Sequence, residues 1–349
     1  MSNFPLAYKL SWLPRLLRPS TKGGKDAFLP PQAMLHDVQP QQTRRVVFLG
    51  DISAVANRRA PNVHARLRKL IAEADLVVGN CEAPVVERVR KPLGTTLGSR
   101  HAMTPAFLSE TLDAIGADPA KLVLTLANNH MLDQGPEGFD ETRAALAGRG
   151  IATIGTEDSP ALVVNVGGVH IAFAAFTQWR NASASDFAGR ITMLDDFRNR
   201  NLTALETVDA DLKCVVAHWD REFRHFPQVN TRGHARTIAG HGIGLIVGHH
   251  AHALQPAELV GEALVAYGLG DFLSTALPRQ PWPTRLGVVL CVDISADAET
   301  KGKVTYEFAP FFRTRDRDRE RLVPLAELDG LFAARARRRF KTIFPVADS

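Results

Sequence analysis

The residues best suited to chemistry fall in five clusters, each placed directly after a short apolar run. VVFLG, residues 46–50, is followed by Asp51; DLVVG, 75–79, by Asn80, Cys81 and Glu82; LVLTLA, 122–127, by Asn128, Asn129 and His130. CVVA, 214–217, is followed by His218, and GLIVG, 244–248, by His249, His250, Ala251 and His252. Seven of the twelve histidines lie between His218 and His252. Imidazole nitrogens combined with carboxylate oxygens suit zinc, iron and manganese, and a carboxylate can bridge two cations. In an extended segment alternate side chains face the same way, so His250 and His252 are expected to point together and His249 elsewhere. The clusters therefore point to a metal site.

Positioning five separated clusters requires a frame. Short β-branched or apolar runs recur at 46–49, 76–78, 122–126, 171–176, 214–217, 245–247, 264–267 and 288–294, most of them candidate buried strands. Helix-period stretches lie between them at 63–74, 138–148 and 231–241; the second starts after Pro136 and closes on Gly148. Strand alternating with helix predicts an α/β sheet. Ligands of open α/β sheets bind outside the carboxyl ends of the strands, which is where all five clusters fall. Residues 303–312 read as a further strand, TRDRDRERL as a charged turn, and 325–340 as a basic amphipathic helix. The organisation expected is a tail and linker over 1–43, a catalytic-sized domain over 44–312 and a basic helical extension over 313–349.

Composition sets outer limits. The chain has 349 residues, 45% hydrophobic and 23% charged, which suits a globular protein and excludes a disordered or fibrous one. Net charge is +5, but residues 1–45 carry +5 and 313–349 carry +4, leaving −4 on the body. The basic excess sits at the ends, with no nucleic-acid-binding motif beside it, so nucleic acid is not an expected partner. Cys81, Cys214 and Cys291 are odd in number and far apart, which excludes a disulfide framework and predicts buried, unbridged thiols. No run of about 18 apolar residues predicts a transmembrane helix. The first residues, with Trp12, Leu13, Leu16 and Leu17 among Lys9, Arg15 and Arg18 and interrupted by Pro5 and Pro14, read as a flexible tail docking a few apolar side chains. A weak membrane-surface contact is the other reading of that stretch. Cytoplasm is the default compartment.

Six motifs in order resemble the CapA family, associated with bacterial poly-γ-glutamate capsule synthesis: GDI at 50–52, DLVVGNCEAPV at 75–85, LANNHMLDQG at 126–135, AHW at 217–219, GHHAHALQPAE at 248–258 and YGLGDF at 267–272. That family's domain belongs to the calcineurin-like metallophosphoesterase superfamily. The resemblance implies a four-layer αββα sandwich around a dinuclear centre of Mn, Fe or Zn. It matches Asp51 to the first-strand ligand, Glu82 to a bridging carboxylate and Asn129 to the amide ligand. His218, His250 and His252 match the later ligands, and His130 the candidate general acid. The sequence departs from the pattern at Ser53, where many superfamily phosphatases carry histidine, so one metal is expected to be held more weakly. Asp220 and Asp271 stand where Gly and Asn are usual, and either could supply the lacking ligand or cap a turn.

Phosphoester hydrolysis follows from such a ligand set, because two cations about 3.5–4 Å apart can share a hydroxide and clamp a phosphoryl group. Imidazole, with an ordinary pKa near 6.5, suits protonation of the leaving oxygen. No Walker loop or G-x-S-x-G elbow offers another mechanism. Two classes stay open: a metal-dependent phosphoesterase, or a partner in assembly or export of an anionic polymer. Loops such as 87–100 and 178–190 would read the substrate, and their polar residues are not diagnostic.

Overall fold

A computed structural model describes residues 2–21, 28–36, 39–53, 59–96, 99–273, 281–316 and 318–345. Among these, the strands form two sheets. The larger runs in the order Asn62–Val63, Arg319–Pro324, Val304–Asp316, Leu286–Ser295, Thr43–Ile52, Leu76–Cys81, Leu122–Thr125, Ala152–Ile154. Gln32–Met34 pairs with Val304–Asp316, and Asp271–Leu273 with Thr43–Ile52. The smaller runs in the order Ala257–Val260, Ala263–Ala266, Leu245–His249, Leu212–His218, Val169–Thr177, Leu162–Val166.

Side-chain alternation explains why the sheets are covered on both faces. In Val169–Thr177, Ile171, Phe173 and Ala175 enter the larger hydrophobic cluster shared with the first sheet, while Ala172, Ala174 and Phe176 enter a second one. Cys214 and Val216 divide from Val215 and Ala217 in the same way, as a period of two requires. The second cluster is completed by Leu202 and Leu205 of the helix Leu202–Thr207 and by Ala235 and Ile238 of Val229–Ala239. On the first sheet, the helices Ala65–Ala72, Pro105–Ile115 and Gly135–Ala147 bury Leu67, Ile71, Phe107, Leu112, Phe139 and Leu146. Helix, sheet, sheet, helix is the αββα order.

The ends differ from the expectation. The strand after residue 303 runs to Asp316, and the stretch read as a charged turn contains a second strand, Arg319–Pro324, paired back onto it. Alternation again decides: Leu322 is buried, and Glu320 is buried against Arg313. The helix predicted at 325–340 begins later, at Ala333–Ile343, behind a short 3-10 turn at Leu325–Glu327. The N-terminal stretch read as a flexible tail forms a helix, Leu6–Leu17, with Pro14 inside it.

Candidate metal centre

Strand register levels the polar clusters. Asp51 lies opposite Asn80 on one side and Asp271 on the other, and His249 lies opposite His218 across the second sheet. Two glycines allow the chain segments behind them to close up. A Cβ at Gly50 would stand 1.9 Å from the Gly270 carbonyl oxygen, and one at Gly248 1.9 Å from that of Tyr267. Any side chain at either position would push the rim apart.

Two groups of ligand atoms result, each within 4.8 Å: Glu82, His218 and His250; and Asp51, Glu82, His252 and Asp271. Glu82 belongs to both. Asn129 joins the first, its Oδ1 lying 2.7 Å from His218 Nε2. Thus the structure brings together Asp51, Glu82, Asn129, His218, His250 and His252. It adds Asp271, and it also places Glu222 in a third group with His250 and His252. Glu82 Oε1 and His250 Nδ1 are buried with no hydrogen-bond partner. Orphaned polar atoms in a core are costly, and a carboxylate oxygen and an imidazole nitrogen left so within one group of N/O donors fit a cation.

The charges fit as well. Burial, and then the Asp51 carboxylate, hold Glu82 well above the usual carboxylate range. Burial pushes His252 down, but Glu82 and Asp271 outweigh it and hold the ring well above the ordinary imidazole value. Desolvation, followed by neighbouring imidazoles, keeps His218 and His250 well below that value. His218 and His250 are therefore neutral near pH 7, the state in which imidazole ligates.

The backbone reason offered for the HHAH run does not hold. His250 has φ 82° and His252 φ 46°, both left-handed, so the run is a turn rather than an extended strand. Their rings still come within 6.0 Å, but His249, expected to point elsewhere, also reaches the site, with Nδ1 3.2 Å from Asp51 Oδ1.

His130 stands beside the same cluster of side chains. Its Nδ1 lies 2.6 Å from Asp133 Oδ2 and 3.2 Å from the Asn181 amide nitrogen. The ring stacks on His101 at 3.4 Å with planes 1° apart. Asp133, fully buried, also accepts from the His101 backbone N–H at 2.7 Å and pairs with Arg100 at 3.1 Å. Burial acts to raise Asp133, but His130 outweighs it and holds the carboxyl below its usual range. The sequence reading missed Asp133 and His101, although the N-H-x-x-D spacing of one helical turn is visible in LANNHMLDQG.

An amide network holds the rim. Asn80 donates to Asp51 at 2.7 Å and sits 3.2 Å from His218 Nδ1, while Asn128 donates to Asn80 Oδ1 at 3.0 Å and accepts from the His130 N–H at 3.1 Å. Asp271 is fixed from behind: Arg313 donates to its Oδ2 at 2.9 Å and to Glu320 at 3.0 Å, and its Oδ1 meets His252 Nδ1 at 2.6 Å. Asp220, by contrast, is taken up by Gln228 and Gln255 amides at 2.8 and 2.9 Å. Ser53 is buried with its Oγ 3.4 Å from His101 Nδ1. Cys81, raised to about 12 by burial, gives its thiol to the Ala83 carbonyl at 3.4 Å. All three cysteines are buried and free.

The fold is a calcineurin-like metallophosphatase architecture. A solved Staphylococcus aureus structure assigned as a 5'-nucleotidase shares it, with a TM-score of 0.51 and 14% identity over 86% of this chain and 58% of that one. The sequence pattern described as bacterial capsule synthesis protein PGA_cap matches residues 32–276, and the chain belongs to that family. It is 28% identical over 234 residues to the capsule biosynthesis protein CapA of Bacillus anthracis, covering 64% of this chain and 56% of that protein. It is 27% identical over 244 residues to the PGA biosynthesis protein CapA of Bacillus subtilis, covering 65% and 62%. The match thus spans less than two thirds of either relative. Among the described residues no helix is long and apolar enough to cross a membrane.

Proposed function

We propose that the protein is a metal-dependent phosphoesterase serving the synthesis of a capsule or exopolymer such as poly-γ-glutamate. The observation that carries this reading is the pairing of two ligand groups sharing Glu82 with a His130–Asp133 couple on the same rim. Glu82, Asn129, His218 and His250 would hold one cation, and Asp51, Glu82, His252 and Asp271 the other. Two divalent cations there supply Lewis acidity to phosphoryl oxygens and bring the pKa of a water towards neutrality.

The chain's own residues do the rest. Asp133 holds the Nδ1 side of His130, so the opposite nitrogen can carry a proton to a leaving oxygen. Asn181 accepts from the Asn129 amide at 3.3 Å and packs beside the His130 ring, so the amide ligand and the acid share one wall of the site. Asn80 sets the spacing between Asp51 and His218. A second reading, a binding partner in assembly of an anionic polymer, is favoured by the family's capsule association and by serine at position 53. Elemental analysis of the purified protein, together with turnover of bis-(p-nitrophenyl) phosphate in the presence of Mn²⁺, decides between them. One to two equivalents of metal with turnover supports the enzyme; metal without turnover of any phosphoester moves the assembly role ahead.

A further inference from the structure

The helix Leu6–Leu17 precedes residue 32, where the family match begins, and it docks by an unexpected face. Leu6, Leu10, Leu13 and Leu17 are 71%, 72%, 54% and 70% exposed, whereas Tyr8 is 3% exposed. An amphipathic helix ordinarily buries its apolar stripe; this one leaves four of its five leucines outside and inserts an aromatic, polar face over the rim of the candidate centre.

The docking contacts converge on two residues of the candidate centre. The Tyr8 hydroxyl lies 3.0 Å from His250 Nε2 and accepts the Glu222 backbone N–H at 3.2 Å. Trp12 donates its indole N–H to the Glu222 carboxylate, and Arg15 donates to the Glu222 carbonyl at 2.9 Å. Phe4 stacks on Trp179 at 5.0 Å and lies 6.1 Å from the His250 ring, closing the apolar side. The two nitrogens of His250 are therefore distinct. Nε2 is engaged by Tyr8, Nδ1 is buried without a hydrogen-bond partner, and the residue belongs to the group of Glu82 and His218.

We infer that Tyr8 is a positioning residue of the metal centre: its hydroxyl oxygen accepts the Nε2–H of His250 and so fixes the tautomer whose Nδ1 lone pair faces a divalent cation shared with Glu82 and His218. A ligating imidazole commonly gives its other N–H to an oxygen acceptor, and losing that acceptor typically weakens metal binding about 10–100-fold. The left-handed backbone at His250 lets the ring be held between the helix on one side and the rim on the other.

This inference rests on the metal-site reading above, and the experiment separates the two. Mn²⁺ binding to the full chain is measured by calorimetry for wild type, Tyr8→Phe and Leu10→Ser, the last altering an exposed residue of the same helix. The expected result is one of two sites weakened about 10–100-fold in Tyr8→Phe, the other unchanged, and Leu10→Ser equal to wild type. A second readout needs no variant: ¹⁵N-resolved imidazole spectra of the Zn²⁺-loaded wild type should show His250 protonated at Nε2. Equal or tighter Mn²⁺ binding in Tyr8→Phe, or a proton on Nδ1, overturns the role of Tyr8 and makes the hydroxyl an occupant of the cation's place. Should wild type bind no Mn²⁺ or Zn²⁺, the metal reading itself fails and this inference with it. If Tyr8→Phe does not fold, as read by circular dichroism, the tautomer decides alone.

Discussion

The two halves of the candidate centre share Glu82 and differ in almost everything else. One is built from His218, His250 and the Asn129 amide, neutral donors kept uncharged by burial and by one another, beneath a roof of Phe4, Tyr8 and Trp179. The other gathers Asp51, Glu82 and Asp271 around His252, with buried Arg313 and Glu320 behind. In the first, selectivity would come from nitrogen ligands, which prefer zinc, iron or manganese over magnesium or calcium. In the second, carboxylate oxygens would dominate, with the Arg313 guanidinium behind Asp271 as countercharge. The carboxylate half should therefore accept a wider range of cations than the histidine half.

The severest test removes what the halves share. Glu82→Gln keeps the shape but lacks the bridging charge, and should lose both metal equivalents together with turnover, a fall larger than the roughly 10²–10⁴ that a lost general acid costs. Metal retention at one full equivalent, measured by elemental analysis, would show that the halves do not meet at Glu82.

Next in size, His130→Ala should keep metal content near wild type while losing about 10²–10⁴ in turnover of a phosphodiester with a poor leaving group. His250→Ala should lose metal and turnover alike. Equal rates in His130→Ala and wild type on that substrate would remove His130 from the chemistry and place all the activity in the two halves.

A third test strikes behind the carboxylate half alone. Arg313→Met leaves the buried carboxylates of Asp271 and Glu320 without their guanidinium, a class of change that destabilises by about 3–5 kcal/mol. Chemical denaturation measures it. A loss below about 1 kcal/mol would mean that the buried pair is dispensable, and that Asp271 is held by His252 instead.

How far the sequence foretold this arrangement depends on range. Strands such as Thr43–Ile52 and Leu245–His249 were legible because buried parallel strands are continuous apolar runs, and the residues after them were legible because a rim is where such runs end. Six family motifs named Asp51, Glu82, Asn129, His218, His250 and His252, and the structure places their side chains together. Helix Pro105–Ile115 went unread although Thr104 caps it, Pro105 opens it and Gly116 closes it in the left-handed region. Its signals are local, but it carries no chemistry to draw attention. Arg313, Glu320 and Tyr8 were illegible for a different reason. Arg313 lies 42 positions from Asp271 and Tyr8 242 from His250, and Glu320, though only seven positions from Arg313, sits like them within a stretch that reads as solvent-facing. Burial of a charge shows only once the partner is in place.

The finest distinction between the halves is carried by Asp271. Asp271→Asn preserves size and one acceptor oxygen while removing a charge, so the fold should survive better than in Arg313→Met. The substitution takes a ligand oxygen from the group of Asp51, Glu82 and His252, and a partner from the His252 ring at 2.6 Å. Nothing in the group of Glu82, His218 and His250 contains Asp271. Expected is a loss of about 10–100-fold in affinity for one Mn²⁺, with the second retained, while His218→Ala shows the converse. Calorimetric titration of both variants resolves the two sites. Weakening of both sites to the same degree in both variants would mean that the cations bind as one cooperative unit through Glu82, and the division into a histidine half and a carboxylate half would describe the ligands without describing the binding.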